Sequence, residues 1–118
     1  MYHKSKLSNG LTLLTVPVKG TEAVTILALF PVGSRYEAKE INGLSHFIEH
    51  MMFKGTLSRP TTLDISKELD KVGAEYNAYT SRDYTGYYIK VSQEHADLAM
   101  DLLSDMLWNS KFDAEELE

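Results

Sequence analysis

Asn42-Gly43-Leu44-Ser45-His46-Phe47-Ile48-Glu49-His50-Met51-Met52-Phe53-Lys54-Gly55 is the stretch that organises this sequence. Asn42 is a good N-cap and Gly55 suits the left-handed position that follows a helix end, so the signals predict a helix from about Asn42 to Gly55. On that helix His46 and His50 lie four residues apart, on one face and one turn apart, with Glu49 beside the second imidazole. Both imidazoles can reach a single metal ion.

The pattern His46-Phe47-Ile48-Glu49-His50 is H-x-x-E-H, the inverse of the commoner H-E-x-x-H, and both put two imidazole ligands and a general base on one helical turn. Zinc suits such donors because it accepts nitrogen ligands and tolerates three protein ligands plus a water. Bound Zn²⁺ lowers the pKa of a water from about 15.7 towards about 7 and polarises a carbonyl under attack. Glu49 then stands where a general base would take the proton and pass it to a leaving amine. A plainer reading is also open. Leu44, Phe47, Ile48, Met51, Met52 and Phe53 make the segment strongly apolar, and a histidine on such a helix can be a satisfied core residue.

Outward from this helix, the pattern predicts an α+β chain with helices packed on a largely antiparallel β-sheet. Asn9-Gly10 lies between Lys4 to Leu7 and Leu11 to Val18 and signals a tight turn in a β-hairpin. Val24 to Phe30 is a near-continuous apolar strand, ended by Pro31 and Gly33, of the kind buried on both faces. Leu63, Ile65, Leu69 and Val72 mark a helix from about Thr62 to Lys71, closed by Gly73. Asn77 to Thr80 and Tyr84 to Val91 read as two strands around Ser81-Arg82-Asp83. A further helix from about Gln93 to Trp108 carries Ala96, Leu98, Ala99, Leu102, Leu103, Met106 and Leu107 on its buried side. Asp113 followed by Glu116 resembles an N-cap with a capping-box partner, opening a last short helix.

Composition narrows the chemistry. At 118 residues the chain is at most one domain. It contains no cysteine, so neither a disulfide framework nor a thiolate metal site is available, and ligands must come from His, Asp and Glu. Residues 1–92 hold 11 basic and 9 acidic groups, and residues 93–118 hold 1 basic and 8 acidic groups. No basic stripe suggests nucleic acid, and the acidic end reads as a solvated helical face. Met1-Tyr2-His3-Lys4-Ser5-Lys6 has no apolar leader, and no run approaches a membrane span, so a cytoplasmic location without membrane contact is the expectation. His3 and His95 read as solvent-facing.

The stretch from Gly43 to Thr56 resembles the zinc helix of the pitrilysin-like (M16, inverzincin) zinc metallopeptidases, in their processing-peptidase-like branch. Two more blocks match in the same order, Pro31-Val32-Gly33-Ser34-Arg35 before it and Asn77-Ala78-Tyr79-Thr80-Ser81-Arg82-Asp83-Tyr84-Thr85 after it. The motif is intact, unlike that of the catalytically silent relatives in the respiratory bc₁ complex. S-ribosylhomocysteinase, of related fold, has a similar histidine-rich helix but needs a cysteine ligand, which is absent here.

The resemblance implies zinc as cofactor, His46 and His50 as ligands, Glu49 as catalytic base, and residues 1–118 as the N-terminal part of a single catalytic domain. It implies a third ligand, a glutamate roughly 70 to 80 residues past the second histidine, and therefore beyond Glu118. Glu115, Glu116 and Glu118 could stand in as ligands, but acidic residues favouring a helix N-terminus explain them more simply. The family relation also implies a peptide or unfolded polypeptide substrate added as a strand to the edge at Asn77 to Thr80, and a second homologous domain or subunit as partner. Asn77 and Ala78 would hold the substrate backbone, with Phe53 and Tyr79 bordering a side-chain pocket. An ordinary strand-end asparagine and sheet tyrosine are equally open readings. Gly33 and Arg35 are explained by backbone conformation and a surface ion pair.

Overall fold

Alternation of period two lays down the sheet, and period 3.6 lays the helices on one face of it. The computed structural model describes residues 1–117. Strands β1 (His3–Lys6) and β2 (Thr12–Thr15) form an antiparallel hairpin that is a sheet of its own. Its loop is longer than a two-residue turn. Gly10 N–H donates to Leu7 O at 2.9 Å and Leu7 N–H to Leu11 O at 2.8 Å, with Gly10 at φ 90°. This is a three-residue connection closed by a left-handed glycine.

Strands β3 (Ala23–Phe30), β4 (Glu75–Thr80) and β5 (Thr85–Ser92) form the second sheet in the order β3-β5-β4, all antiparallel. Phe30 and Thr80 both pair with Thr85, so the two outer strands meet the same end of the central one. The expectation for β3 needs correction. Its residues alternate, with Val24, Ile26, Ala28 and Phe30 half-buried and Leu27 and Leu29 50% and 55% exposed. Helices cover only one face of the sheet, so the pleat turns every second apolar residue of β3 outwards.

Helices α1 (Leu44–Met51), α2 (Thr62–Lys71) and α3 (Ala96–Trp108), with a single turn α4 (Ala114–Leu117), complete the described chain. Among the described residues no helix is long and apolar enough to cross a membrane. The core is Ile65 and Leu69 of α2, Tyr87, Ile89 and Val91 of β5, and Ala99, Leu102, Leu103 and Met106 of α3. Each such aliphatic side chain contributes about 1.5–3 kcal/mol on burial. At the start of α2, Thr61 and Asp64 satisfy each other's backbone N–H groups, at 3.2 and 3.0 Å. Asp113 caps α4 by accepting from Glu115 N–H at 3.2 Å. Glu116 does not return a capping-box bond; its carboxylate lies 3.5 Å from Nζ of Lys54, in the loop that follows α1.

A charged cluster inside the helical layer was not foreseen. Arg59, on the loop between α1 and α2 and only 11% exposed in its side chain, reaches Asp105 at 2.8 Å and Asp101 at 3.0 Å, both on α3. Its Nε sits 3.0 Å from Glu68 Oε1 on α2, in a geometry too bent for a hydrogen bond. Asp105 also accepts from Thr56 Oγ1 at 2.6 Å and Asn109 Nδ2 at 2.9 Å. Burial pushes the Asp105 carboxyl up, but the bonds from Thr56, Asn109 and Arg59 outweigh it and hold the group below the usual range. The loop is closed further by Gly55, at φ 134°, where a side chain would strike the carbonyl of Pro60.

Replacing Asp105 with Ala leaves the Arg59 guanidinium buried and short of a partner, and urea unfolding is expected to show a loss of about 3–5 kcal/mol. The sign of the pH dependence follows from the lowered folded pKa. The contribution is complete above the unfolded value of about 3.9 and is lost as pH falls through the folded one, so the gap between wild type and Asp105→Ala narrows below about pH 4. A gap unchanged down to pH 2 would show that the ionised form of the Asp105 carboxylate is not what stabilises the fold.

Candidate active site

The site forms where α1 meets the end of β4. Helix α1 is shorter than its sequence suggests, because Asn42 is not its cap. Gly43, at φ 93°, takes that place, and Glu37 satisfies the helix start from outside. The Glu37 carboxylate accepts from Gly43 N–H at 2.6 Å and Ser45 N–H at 2.8 Å. Those two bonds hold its pKa below the usual carboxylate value. At the other end the helix stops at Met51, and Gly55 serves the loop rather than a helix terminus.

Of the residues of α1 only Met51 is buried. His46 and His50 are both exposed, which removes the reading of either as a satisfied core residue. Their Nε2 atoms lie 3.1 Å apart, with ring planes at 67°. Two nitrogens each about 2.05 Å from a tetrahedral zinc ion would stand roughly 3.3 Å apart, so this spacing fits a pair of zinc ligands with little movement. Among the described residues no group of three or more His, Cys, Asp or Glu side chains converges on one point. Glu115 and Glu116 therefore do not complete the pair, and Glu118 lies outside the described residues.

Glu49, half-buried, accepts a hydrogen bond on Oε2 from the Thr80 hydroxyl, the last residue of β4. Its carboxylate also faces Tyr87 on β5. Burial, with the Glu49 charge adding to it, pushes the Tyr87 phenol up to about 12.

Strand β4 is an edge of its sheet. Ala78 N–H is taken up by the Asn77 side-chain oxygen at 2.8 Å, so Asn77 covers a main-chain donor of this strand. Asn77 and Ala78 thus lie together on the free strand, as their adjacency requires. Phe53 and Tyr79 do not come together. Phe53 packs on the helix-covered face, its ring 6.4 Å from Tyr76. Tyr79 lies over Gly86 on the opposite face, 6.0 Å from the Tyr84 ring. Alternation along β4 puts Tyr76, beside Phe53, and Tyr79 on opposite faces, so among the described residues Phe53 and Tyr79 do not border one pocket.

The reverse side of α1, Leu44, Ile48 and Met52, lines an open apolar groove of about 360 Å³ with Phe30, Tyr36, Leu107 and Trp108. Trp108 is 74% exposed there. Sequence reasoning also passed over Thr80 and Glu37. Thr80 lies within a quoted block, but its contact with Glu49 spans 31 positions and leaves no local signature.

Comparison with known proteins bears on this geometry. Residues 14–118 match the model of the insulinase family, peptidase family M16. The chain is 46% identical over 116 residues to an uncharacterised zinc protease of Rickettsia felis, covering 98% of this chain and 28% of that protein. It is 43% identical over 112 residues to the mitochondrial-processing peptidase subunit beta of Dictyostelium discoideum, covering 95% of this chain and 24% of that one. The crystal structure of a protease from Helicobacter pylori superposes with a TM-score of 0.91 at 30% identity, over 98% of this chain and 28% of that chain. The chain thus spans about a quarter of the length of these relatives.

The cap on α1 gives a direct test. Glu37→Ala is expected to speed amide hydrogen exchange at Gly43 and Ser45 while leaving the amides of β5 unchanged. The lowered Glu37 pKa implies that this protection persists in wild type at pH values below the ordinary carboxylate range. Equal exchange in both proteins would show that the carboxylate does not hold the helix start.

Proposed function

Because the chain belongs to the insulinase (M16) family of peptidases, we propose that it contributes the first two zinc ligands and the general base of a zinc-dependent endopeptidase. The observation that carries the reading is the close approach of His46 and His50 Nε2, 3.1 Å apart on the helix that also carries Glu49. Zinc held by such a pair supplies Lewis-acid activation of a water and of the scissile carbonyl. Glu49, with Oε2 engaged by Thr80, keeps Oε1 for proton transfer from the attacking water to the leaving amine. The third ligand belongs, on this reading, to the part of the longer protein that follows this segment, as the greater length of the relatives supports.

The substrate is a peptide or unfolded polypeptide laid along the free edge of β4. Ala78 N–H, now bonded to its neighbour's side chain, is a donor that a substrate carbonyl can take over, with Asn77 released to a second main-chain contact. Phe53 serves side chains on the helix side only. A second homologous domain or subunit closes the site. The apolar groove behind α1 and the partial coverage of relatives named as a peptidase subunit support that partner.

A second reading applies to the 118 residues alone. With no three-donor cluster among the described residues, this segment by itself is catalytically silent and acts as a binding or assembly module of the longer protein.

Two measurements separate these readings. In the longer protein, Glu49→Gln is expected to lower hydrolysis of an unstructured peptide by roughly 10²–10⁴-fold with zinc content unchanged; retained hydrolysis would sink the base assignment. For the 118-residue chain, competition with a chromophoric chelator is expected to show weak zinc binding that His50→Ala weakens further. Tight one-to-one binding would place a third ligand inside these residues and overturn the silent reading.

A further inference from the structure

The Thr80 hydroxyl donates to Glu49 Oε2, and Thr80 is held in place by contacts that reach back to Pro31–Arg35. We infer that Thr80 is a positioning residue for Glu49, aimed by the turn Ser81–Tyr84 and its clamp on Gly33–Arg35. The inference rests on the proposed role of Glu49 as general base.

The turn is tied internally. Ser81 N–H and Oγ–H both donate to Tyr84 O at 2.9 Å, and Tyr84 N–H returns to Ser81 Oγ at 3.1 Å. It is also tied from outside. Arg35 N–H donates to Arg82 O at 2.9 Å, Ser34 N–H to Ser81 O at 3.3 Å, and Thr85 Oγ–H to Val32 O at 2.9 Å. Gly33 lies under the turn, in extended backbone that any residue adopts, yet a Cβ there would run into the carbonyl oxygens of Ser81 and Arg82. The glycine is needed for close approach, not for its dihedral angles.

Thr80 is the residue immediately before this clamped turn. Its β-branched side chain has few χ1 options, so a fixed backbone fixes the hydroxyl. A carboxylate on a flexible stem otherwise samples several rotamers, and each costs alignment with the reacting water. By engaging Oε2, Thr80 selects one rotamer and leaves Oε1 open. The same segment then binds α1 through Glu37. Both partners of the Thr80–Glu49 contact are thus referenced to the residues between Gly33 and Glu37.

The test compares Thr80→Val, which keeps the shape and loses the hydroxyl, with Thr80→Ser, which keeps the hydroxyl. In the zinc protease carrying this segment, Thr80→Val is expected to lower kcat by roughly 10- to 100-fold with KM within about twofold. Thr80→Ser is expected to restore kcat to within about threefold of wild type. Zinc affinity by chelator competition should not differ among the three. A readout independent of activity is ¹³C relaxation of the Glu49 side chain in the 118-residue chain, whose order should fall in Thr80→Val and return in Thr80→Ser.

Unchanged kcat and unchanged side-chain order in Thr80→Val, where Glu49→Gln is inactive, would overturn the inference and leave the general-base reading standing. An active Glu49→Gln would overturn that reading first. Gly33→Ala leaves Thr80 intact and pushes on the turn, so it should reproduce the kcat loss without loss of zinc. Wild-type kcat in Gly33→Ala despite shifted Ser81 and Arg82 amide resonances would overturn the clamp.

Discussion

The segment from Pro31 to Glu37 is the constraint on which the site depends. It leaves the end of β3, passes under the β4–β5 turn, and donates Ser34 and Arg35 N–H groups to the carbonyls of Ser81 and Arg82. Two residues later the Glu37 carboxylate takes up the first N–H groups of α1. Helix and strand end, far apart in sequence, are thereby held to one short stretch of backbone. The exposed Arg35–Asp83 pair, at 3.0 Å, adds little beside this, since solvent-screened ion pairs contribute at most about 1 kcal/mol. Main-chain hydrogen bonds and a missing Cβ do most of the positioning.

The Arg59 cluster plays a different part. Gathering Glu68, Asp101 and Asp105 around one guanidinium desolvates charge, and such a network is not a cheap source of stability compared with apolar packing. What it supplies is specificity. Arg59 N–H donates to Thr56 Oγ1, whose hydroxyl donates to Asp105, so the loop after α1 has one way to sit on α3. That fixes where α1 ends and where Phe53 packs. The isolated bridge between Thr56 and Ser110 belongs to the same closure.

Much of the fold was legible in local sequence. Helix α2 runs from Thr62 to Lys71 as its periodicity indicates, and β4, β5 and α3 fall within a few residues of expectation. The three-residue spacing of Thr61 and Asp64 carried the capping box as well, though it went unread. The misreadings share a cause, which is that burial is a tertiary property. The apolar run of β3 looked two-sided because composition does not tell whether a second layer covers the sheet. The family resemblance pairs Phe53 with Tyr79, whereas Phe53 packs beside Tyr76, which alternation along β4 sets on the face opposite Tyr79. Asn42 fits the statistics of an N-cap, but a carboxylate from outside the helix took the role. Arg59 with Asp105, and Glu49 with Thr80, pair across 46 and 31 positions; no window-based reading reaches contacts of that span. Within the site, the two imidazoles and their neighbouring carboxylate were readable because one helical turn brings them together.

Helix α1 is also the least self-sufficient element that matters. Eight residues make too short a helix to persist alone in water, and Met51 is its only buried residue. Both its faces are open, one carrying His46 and His50, the other the apolar stripe of Leu44, Ile48 and Met52. Its order therefore rests on the Glu37 cap, the Thr80–Glu49 contact and the loop closure at Thr56. Anything that binds only the ordered helix stabilises it by mass action. A metal drawn to the two imidazoles is such a ligand, because its affinity includes the free energy of holding the ligands in place. With Nε2 atoms 3.1 Å apart, a ligand of both imidazoles would meet side chains already close together, on a helix whose start and carboxylate are held by hydrogen bonds from Glu37 and Thr80.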